Sequence, residues 1–459
     1  MSICTDSVYV LTDRAAWIGR RKDQHLWEES FMRRFATAVL AATALASAGQ
    51  SVNAETLRMA VHEPDAMRAI EQTLDQLEAA AGVEIELVEY PTPRSDYLTK
   101  LLTELAAGNA PDIFSVPGTV ADLAEAGYLL PITQEFNAWD GYAHMFDVAK
   151  ELALSPDGEV YIVPTMLGIQ QIYYRRDILD AAGISTEQPR NWDELLERAR
   201  EIKEKTGKYA LLFPAGVSWG QGAFNEGFQH LIVGSSTPEL STDDGKLDLR
   251  SDGVREVFEF YKALIDEDLM PIQPLLGPEP WVIPKYEMYP AGELVATTCG
   301  SWCYRRDWGP ESRNPIPNIT EAVGTWTIPG KTDGEYVMAG LSYAWAVNPR
   351  SLDPEAATKV ILEMASVNSE VAAAVEIGLI PTRMDAGEDP MFQEQTELVP
   401  IHKAVENGTF LKQNSGFAAV AEGVARATEA LLRKETDAVG AQNILVDYVI
   451  NIMGDDYVK

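Results

Sequence analysis

The chain has 459 residues, 46% of them hydrophobic and 23% charged, with a formal net charge of −33. The apolar fraction excludes a disordered chain, and the length is enough for two or more domains with sizeable cores. The acidic surplus excludes a nucleic-acid binder and argues against docking on an anionic membrane, and three cysteines cannot build a disulfide framework.

Met32-Arg33-Arg34 opens a basic patch, Phe35 to Ala48 is an apolar run, and Val52 and Ala54 hold the small-residue positions of a cleavage site. This reads as a secretory signal peptide over 32–54, cleaved after Ala54, which places the product in the periplasm. The apolar run is shorter than the roughly 20 residues of a membrane span, and no cysteine follows the cleavage point, so no membrane anchor is expected. Residues 1–31 lack helical or strand periodicity and read as an upstream extension, with Met32 as the start. The mature chain keeps 31 basic and 65 acidic groups over 405 residues, a net of −34. That charge suits solubility and identifies no ligand.

Thr56–Val61 reads as a buried strand, and Asp65–Ala81 as one amphipathic helix with Met67, Ile70, Leu74, Leu77 and Ala81 at helical spacing, ended by Gly82. A strand over 84–90, a helix over 96–107, a strand over 111–116 ended by Pro117-Gly118, and a helix beginning at Thr119 or Asp122 complete the opening stretch. That alternation predicts βαβ units and a parallel sheet. Further on, 169–175 is extended and 177–182 is a short helix. Asn191 caps a helix over 192–205, with Glu194 in a capping-box position. Strands are expected at 209–213, 294–298, 323–328 and 343–347, and helices at 252–267 and 354–365. The last part is mainly helical. No repeat or low-complexity linker interrupts the chain, so it is expected to cross between two lobes more than once.

Gly216-Val217-Ser218-Trp219-Gly220 matches the nucleophile-elbow pattern, but Pro214 separates it from its strand, and only His230 and His402 follow it. Coincidence is the better account. The five histidines (25, 62, 144, 230 and 402) have no metal-site spacing, and Cys299 and Cys303 have no second cysteine pair, so no metal is expected. In an oxidising compartment those two cysteines have the alternative of a local disulfide across the intervening turn. There is no G-x-G-x-x-G and no P-loop. No enzyme activity and no cofactor are expected.

Binding signals remain where strands end: Tyr90, Ser115, Thr165, Met166, Trp219, Ser301, Trp302, Gly340, Ser342 and Tyr343. In open α/β sheets ligands bind beyond the carboxyl ends of strands. Aromatic faces suit the apolar C–H patches of sugar rings, and polar side chains suit their hydroxyls. Trp192, which opens a helix, is expected in the core, and Trp302, just past a strand, in a site.

Several stretches carry a family resemblance: Gly108-Asn109-Ala110-Pro111-Asp112-Ile113, Ala124 to Leu129, Gly158 to Pro164, Tyr173 to Leu179, Asn191 to Leu195, and Gly292 to Ala296 with Gly300-Ser301-Trp302. In this order the chain resembles the extracytoplasmic solute-binding proteins of ABC importers, the sugar-binding family related to maltose-binding protein. The resemblance implies an α/β fold of two lobes, each a mixed sheet flanked by helices, joined by hinge crossings. It places lobe one at 55–163 and 324–366, lobe two at 164–323 and 367–459, and a carbohydrate ligand in the cleft between them. The implied partners are that ligand and the importer's permease subunits.

The same resemblance puts Trp302 against the cleft, with Gly300 and Ser301 before it, and Pro164-Thr165-Met166 at the first hinge. Gly340, Ser342 and Tyr343 follow on a lobe-one strand, Trp219 lies near a stacking aromatic stretch, and His62 and Ser115 come just after lobe-one strands. Arg175-Arg176, the Cys299/Cys303 pair, and Arg305 with Arg306 depart from the family pattern. The two arginines after Trp302 open an alternative, an anionic sugar held by guanidinium pairing. Glycerophosphodiesters and polyamines are further alternatives on the same fold, and a secreted hydrolase using Ser218 is a third reading.

Overall fold

The computed structural model describes residues 56–92, 94–116, 120–242, 244–333, 337–411 and 416–459. The expected signal peptide, the upstream extension, and the Pro117-Gly118-Thr119 turn lie outside the described residues.

The opening alternation forms as expected. β1 (Thr56–Val61) buries Leu57, Met59, Ala60 and Val61 and pairs in parallel with β2 (Glu84–Glu89) and β3 (Ile113–Ser115). The helix expected over 65–81 is two helices, Pro64–Glu71 and Leu74–Ala81. The break falls at Thr73, whose hydroxyl and amide both bond the Ile70 carbonyl at 3.3 and 3.0 Å, a local hydrogen bond that competes with the helix. Gly82, at φ 73°, takes the left-handed cap as expected.

The middle of the fold rests on one long strand. β4 (Val163–Arg175) begins six residues before the expected extended segment. β5 (Tyr209–Leu212), β6 (Leu294–Gly300) and β7 (Val323–Trp326) follow, and then β8 (Val337–Val347), six residues longer at its start than the sequence suggested. Two short strands, β9 (Ile380–Pro381) and β10 (Gly408–Thr409), complete one mixed sheet ordered β2-β1-β3-β8-β4-β6-β5. The first half of β4 runs antiparallel to β8, from Val163↔Trp345 to Ile169↔Ala339. Its second half runs antiparallel to β6, from Gln170↔Gly300 to Tyr174↔Ala296. Pro164 has no amide to donate, and the β4–β8 register shifts just after it.

Two hydrophobic cores form on either side of this switch. The first gathers side chains from Leu57 to Ile169 and from Ala339 to Val405; the second gathers Ile172 to Met338 and Leu411 to Val458. The expected lobe boundaries therefore move. Chain crossing occurs within β4 at 169–172 and not at 163/164. β7 belongs to the second lobe because it pairs with the second half of β4 and buries Val323 and Trp326 there. Residues 367–405 belong to the first lobe, where Val371, Ala374 and Ile377 of the Val367–Ile377 helix pack into its core.

The second core is rich in aromatics. Trp308 is fully buried between Tyr173 and Tyr289, at ring separations of 5.1 and 4.4 Å, and its Nε1 donates to the Lys285 carbonyl at 2.8 Å. Trp192 is buried as expected, donating to the Pro329 carbonyl at 2.8 Å. Removing Trp308 leaves a cavity and an unpaired carbonyl, so Trp308→Ala should lower unfolding stability by about 3–5 kcal/mol in denaturant titration. A loss below about 1 kcal/mol would contradict this packing.

Candidate ligand-binding cleft

A cavity of about 420 Å³ opens between the two lobes, a volume in the range that encloses a small ligand. Its first-lobe wall carries His62 and Glu63 after β1, Ser115 at the end of β3, and Gly340, Ser342 and Tyr343 on β8. Its second-lobe wall carries Gln221, Asn225, Glu226, Trp302 and Arg306, with Gly168 and Gln170 of β4 at the crossing between lobes.

Six of the residues expected at a site thus reach one cleft: His62, Ser115, Trp302, Gly340, Ser342 and Tyr343. His62 is stacked on Tyr97 at 4.3 Å, and the Tyr97 hydroxyl donates to the Ser115 carbonyl at 2.6 Å, so these walls are rigid. Trp302 alone among the described, partly buried hydrophobic residues packs against both cores. Gly300 explains its pose, since a Cβ there would fall inside the Trp302 ring, while a Cβ at Gly168 would meet the ring at 3.6 Å. Gly378, at φ +82°, lets the first lobe approach the Trp302 backbone.

Seven expected residues do not line the cleft. Tyr90 is buried behind it, donating to Glu104 with the Lys100 ammonium 3.2 Å over its ring. Thr165 and Met166 both border a small apolar space beneath the Pro64–Glu71 helix, because the register shift on either side of Met166 breaks the strand alternation there. Trp219 is buried against Trp281 with Lys285 over its ring, and it supports Gly222 from behind. Gly300 and Ser301 are buried under the Trp302 ring and backbone, with the Ser301 amide bonded to the Ile169 carbonyl at 3.1 Å. Arg305 points away, into the first lobe, donating to the Val375 carbonyl and to Gln395, with Glu397 at 3.4 Å.

The arginine that faces the cleft is Arg306, which spans it. Its guanidinium lies 3.7 Å from Glu63 and 3.6 Å from Asp65 of the first lobe, and 3.5 Å from its neighbour Asp307. Burial works against the charge, but the carboxylates of Asp307, Glu63 and Asp65 outweigh it and raise the guanidinium's pKa. Its side chain keeps 42% of its surface because it faces the open cavity. The Tyr343 hydroxyl donates to the same Glu63 carboxylate at 2.5 Å. Burial, then Glu63, push the Tyr343 pKa well above the ordinary phenol value, which keeps it a donor.

Glu63, Gln170, Gln221, Asn225 and Glu226 were not singled out by sequence, and Arg306 only as one of a pair with Arg305. Asn225 and Glu226 sit on a π-helical turn, Ala223–Phe228, and Arg306 on another, Cys303–Asp307. Such turns break the 3.6-residue periodicity that helical reading depends on. The nearest signal was the Arg305-Arg306 pair itself, and the sequence does not say which of the two faces the cleft.

The Cys299 and Cys303 sulfurs lie within bonding distance, with Cα atoms 6.1 Å apart, bracketing the Trp302 turn. Asp307 lies close to both sulfurs; paired sulfurs offer no thiolates for a metal. Ser218 lies on the Val217–Trp219 turn. His230 bonds the Asn225 carbonyl at 3.0 Å, and His402 lies in the first lobe and bonds the Arg383 carbonyl.

A match to the family of bacterial extracellular solute-binding proteins covers residues 60–366. The chain belongs to this family. It is 23% identical over 322 residues to an arabinooligosaccharide-binding protein of Halalkalibacterium halodurans, covering 68% of each chain. Among solved structures, the sugar-binding protein MalE of Xanthomonas citri superposes with a TM-score of 0.73 at 22% identity, over 87% of this chain and 98% of that one. Maltose-bound T. maritima MalE3 superposes at 0.71 and 19% identity, over 87% and 100%. The fold is that of a two-lobed, type II periplasmic binding protein. No helix of the described residues is long and apolar enough to cross a membrane.

His230 lines the cleft almost fully buried, and burial, outweighing the Asn225 carbonyl and the Glu226 charge, pulls its pKa down to about 4 from the usual 6.5. Between those values the unfolded chain binds a proton that the folded chain does not. Stability is therefore full above about pH 6.5 and falls toward pH 4. His230→Gln should flatten the fall in melting temperature over that window relative to the parent; an unchanged slope would contradict the assignment.

Proposed function

We propose that this protein is the periplasmic solute receptor of an ABC importer, binding a sugar or oligosaccharide between its lobes and presenting it to the membrane permease. The observation that carries the reading is Trp302, an aromatic face that borders the cavity while packing against both cores. A ligand ring stacked on it would be held at the junction of the lobes, so that binding and closure favour one another. His62, Ser115, Ser342, Tyr343 and the backbone at Gly340 would meet hydroxyls from the first lobe. Gln221, Asn225 and Glu226 would meet them from the second. Tyr90, Thr165, Met166, Trp219, Gly300, Ser301 and Arg305 act by positioning these groups.

Family membership and relatives that bind arabinooligosaccharide and maltose support the ligand class. Export by the signal peptide expected over 32–54, cleaved after Ala54, accords with an extracellular solute-binding family. The carboxylates that occupy Arg306 weigh against the phosphodiester reading.

Calorimetric titration of residues 55–459 with neutral arabino-, malto- and lacto-oligosaccharides tests the reading. At least one should bind saturably. Trp302→Ala should weaken it tenfold or more, about 1.4 kcal/mol, while leaving the melting temperature within a few degrees. Absence of binding to any carbohydrate, or an unaffected Trp302→Ala variant, would refute it.

A further inference from the structure

Resting on the carbohydrate reading above, we infer that the cleft selects an uncharged, hydroxyl-rich sugar and rejects sugars bearing carboxylate, sulfate or phosphate. Arg306 and Arg305 suggested the opposite from sequence, so the decision turns on what those cations already hold.

Arg305 is turned into the first lobe, where Val375, Gln395 and Glu397 take its guanidinium. Arg306 faces the cavity but is surrounded by Glu63, Asp65 and Asp307 at 3.5–3.7 Å. The next cation, Lys285, is buried behind the second-lobe wall and paired with Glu226 at 3.1 Å. Each of these three cations is thus committed to a carboxylate, and among them the carboxylates outnumber the cations. An anionic ligand would have to take Arg306 from three acids while facing Glu63 and Glu226 at close range. Like charges juxtaposed in a partly open cleft repel, and salt screens the repulsion.

A second observation concerns hydrogen-bond character. Gln170, at the crossing of β4 between the lobes, lines the cavity with only 9% of its surface exposed, and its Oε1 has no partner. Ser155 lines the first-lobe side, 7% exposed, and its hydroxyl, which can donate or accept, also has no partner. The buried Gln170 acceptor left unpaired is costly, and its natural completion is a donor brought by the ligand. A hydroxyl can donate to Gln170 Oε1 and to the carboxylates of Glu63 and Glu226. A carboxylate, sulfate or phosphodiester in the same place has no proton to give. Charge and donor–acceptor balance therefore point the same way, against an anionic ligand and toward one rich in hydroxyls.

The test is a calorimetric comparison, on residues 55–459, of neutral oligosaccharides with their counterparts oxidised to a carboxylate at C6. The neutral member should bind at least tenfold more tightly, and the gap should narrow as salt is raised from 20 to 500 mM. Glu63→Gln, which releases Arg306 from one acid and removes a negative charge, should shrink the gap at least threefold. Gln170→Met, similar in volume but without the acceptor, should weaken the neutral sugar; a melting temperature within a few degrees of the parent certifies its fold, and Gln170→Glu, which keeps the acceptor and adds charge, should widen the gap. Acidic sugars binding as well as or better than neutral ones would overturn the inference while leaving carbohydrate binding intact. Binding of neither class would overturn the carbohydrate reading itself.

Discussion

The pairing of β4 with β8 is the constraint on which the rest of this fold depends. Both strands run through both lobes: β4 pairs with β8 and β9 in the first and with β6 and β7 in the second, and the cores change hands at 169–172 and at 338/339. A backbone ladder shared by two cores gives up none of its hydrogen bonds when the lobes tilt by small changes in φ and ψ. The cores on either side resist deformation because they are densely packed. The soft region is thereby confined to a few residues, and Gly168, Gln170 and Gly340, which line the cavity, lie in it.

What spans the cleft in this structure is comparatively weak. Arg305 and Arg306, adjacent on the second lobe, reach first-lobe carboxylates and carbonyls on either side of the Trp302 turn. Partly exposed ion pairs of this kind contribute roughly 0–1 kcal/mol each. They can align the lobes without locking them. Hydrophobic contact between the lobes passes largely through Trp302, whose ring is fitted against the two glycines, 168 and 300. Ligand contact at this ring is therefore well placed to tip the balance between open and closed arrangements.

Much of this was legible in the sequence, for identifiable reasons. Alternation and caps placed the strand at 56–61, the strand at 209–212 to within one residue, and the Asn191-capped helix, because local patterning and tertiary burial agree there. The helix split at Thr73 was hidden because its apolar spacing continues through the break. The long β4 and β8 were half-read because strands buried on both faces lose their alternation. At the site, residues after strand ends were legible: His62, Ser115 and Trp302 reach the cleft. Residues on π-helical turns were not, and neither was the choice between two adjacent arginines, which depends on turn geometry that sequence does not carry. Aromatic residue type misled at Tyr90 and Trp219, where tertiary burial claims the ring.

The central claim is that the lobes close about β4 and β8 on a neutral carbohydrate seated at Trp302. Spin labels on Leu352→Cys in the first lobe and Val439→Cys in the second, both at exposed positions, report the interlobe distance directly by double electron–electron resonance. Saturating neutral oligosaccharide should shift the distance distribution to a new, narrower population. An unchanged distribution at full ligand occupancy would contradict the account.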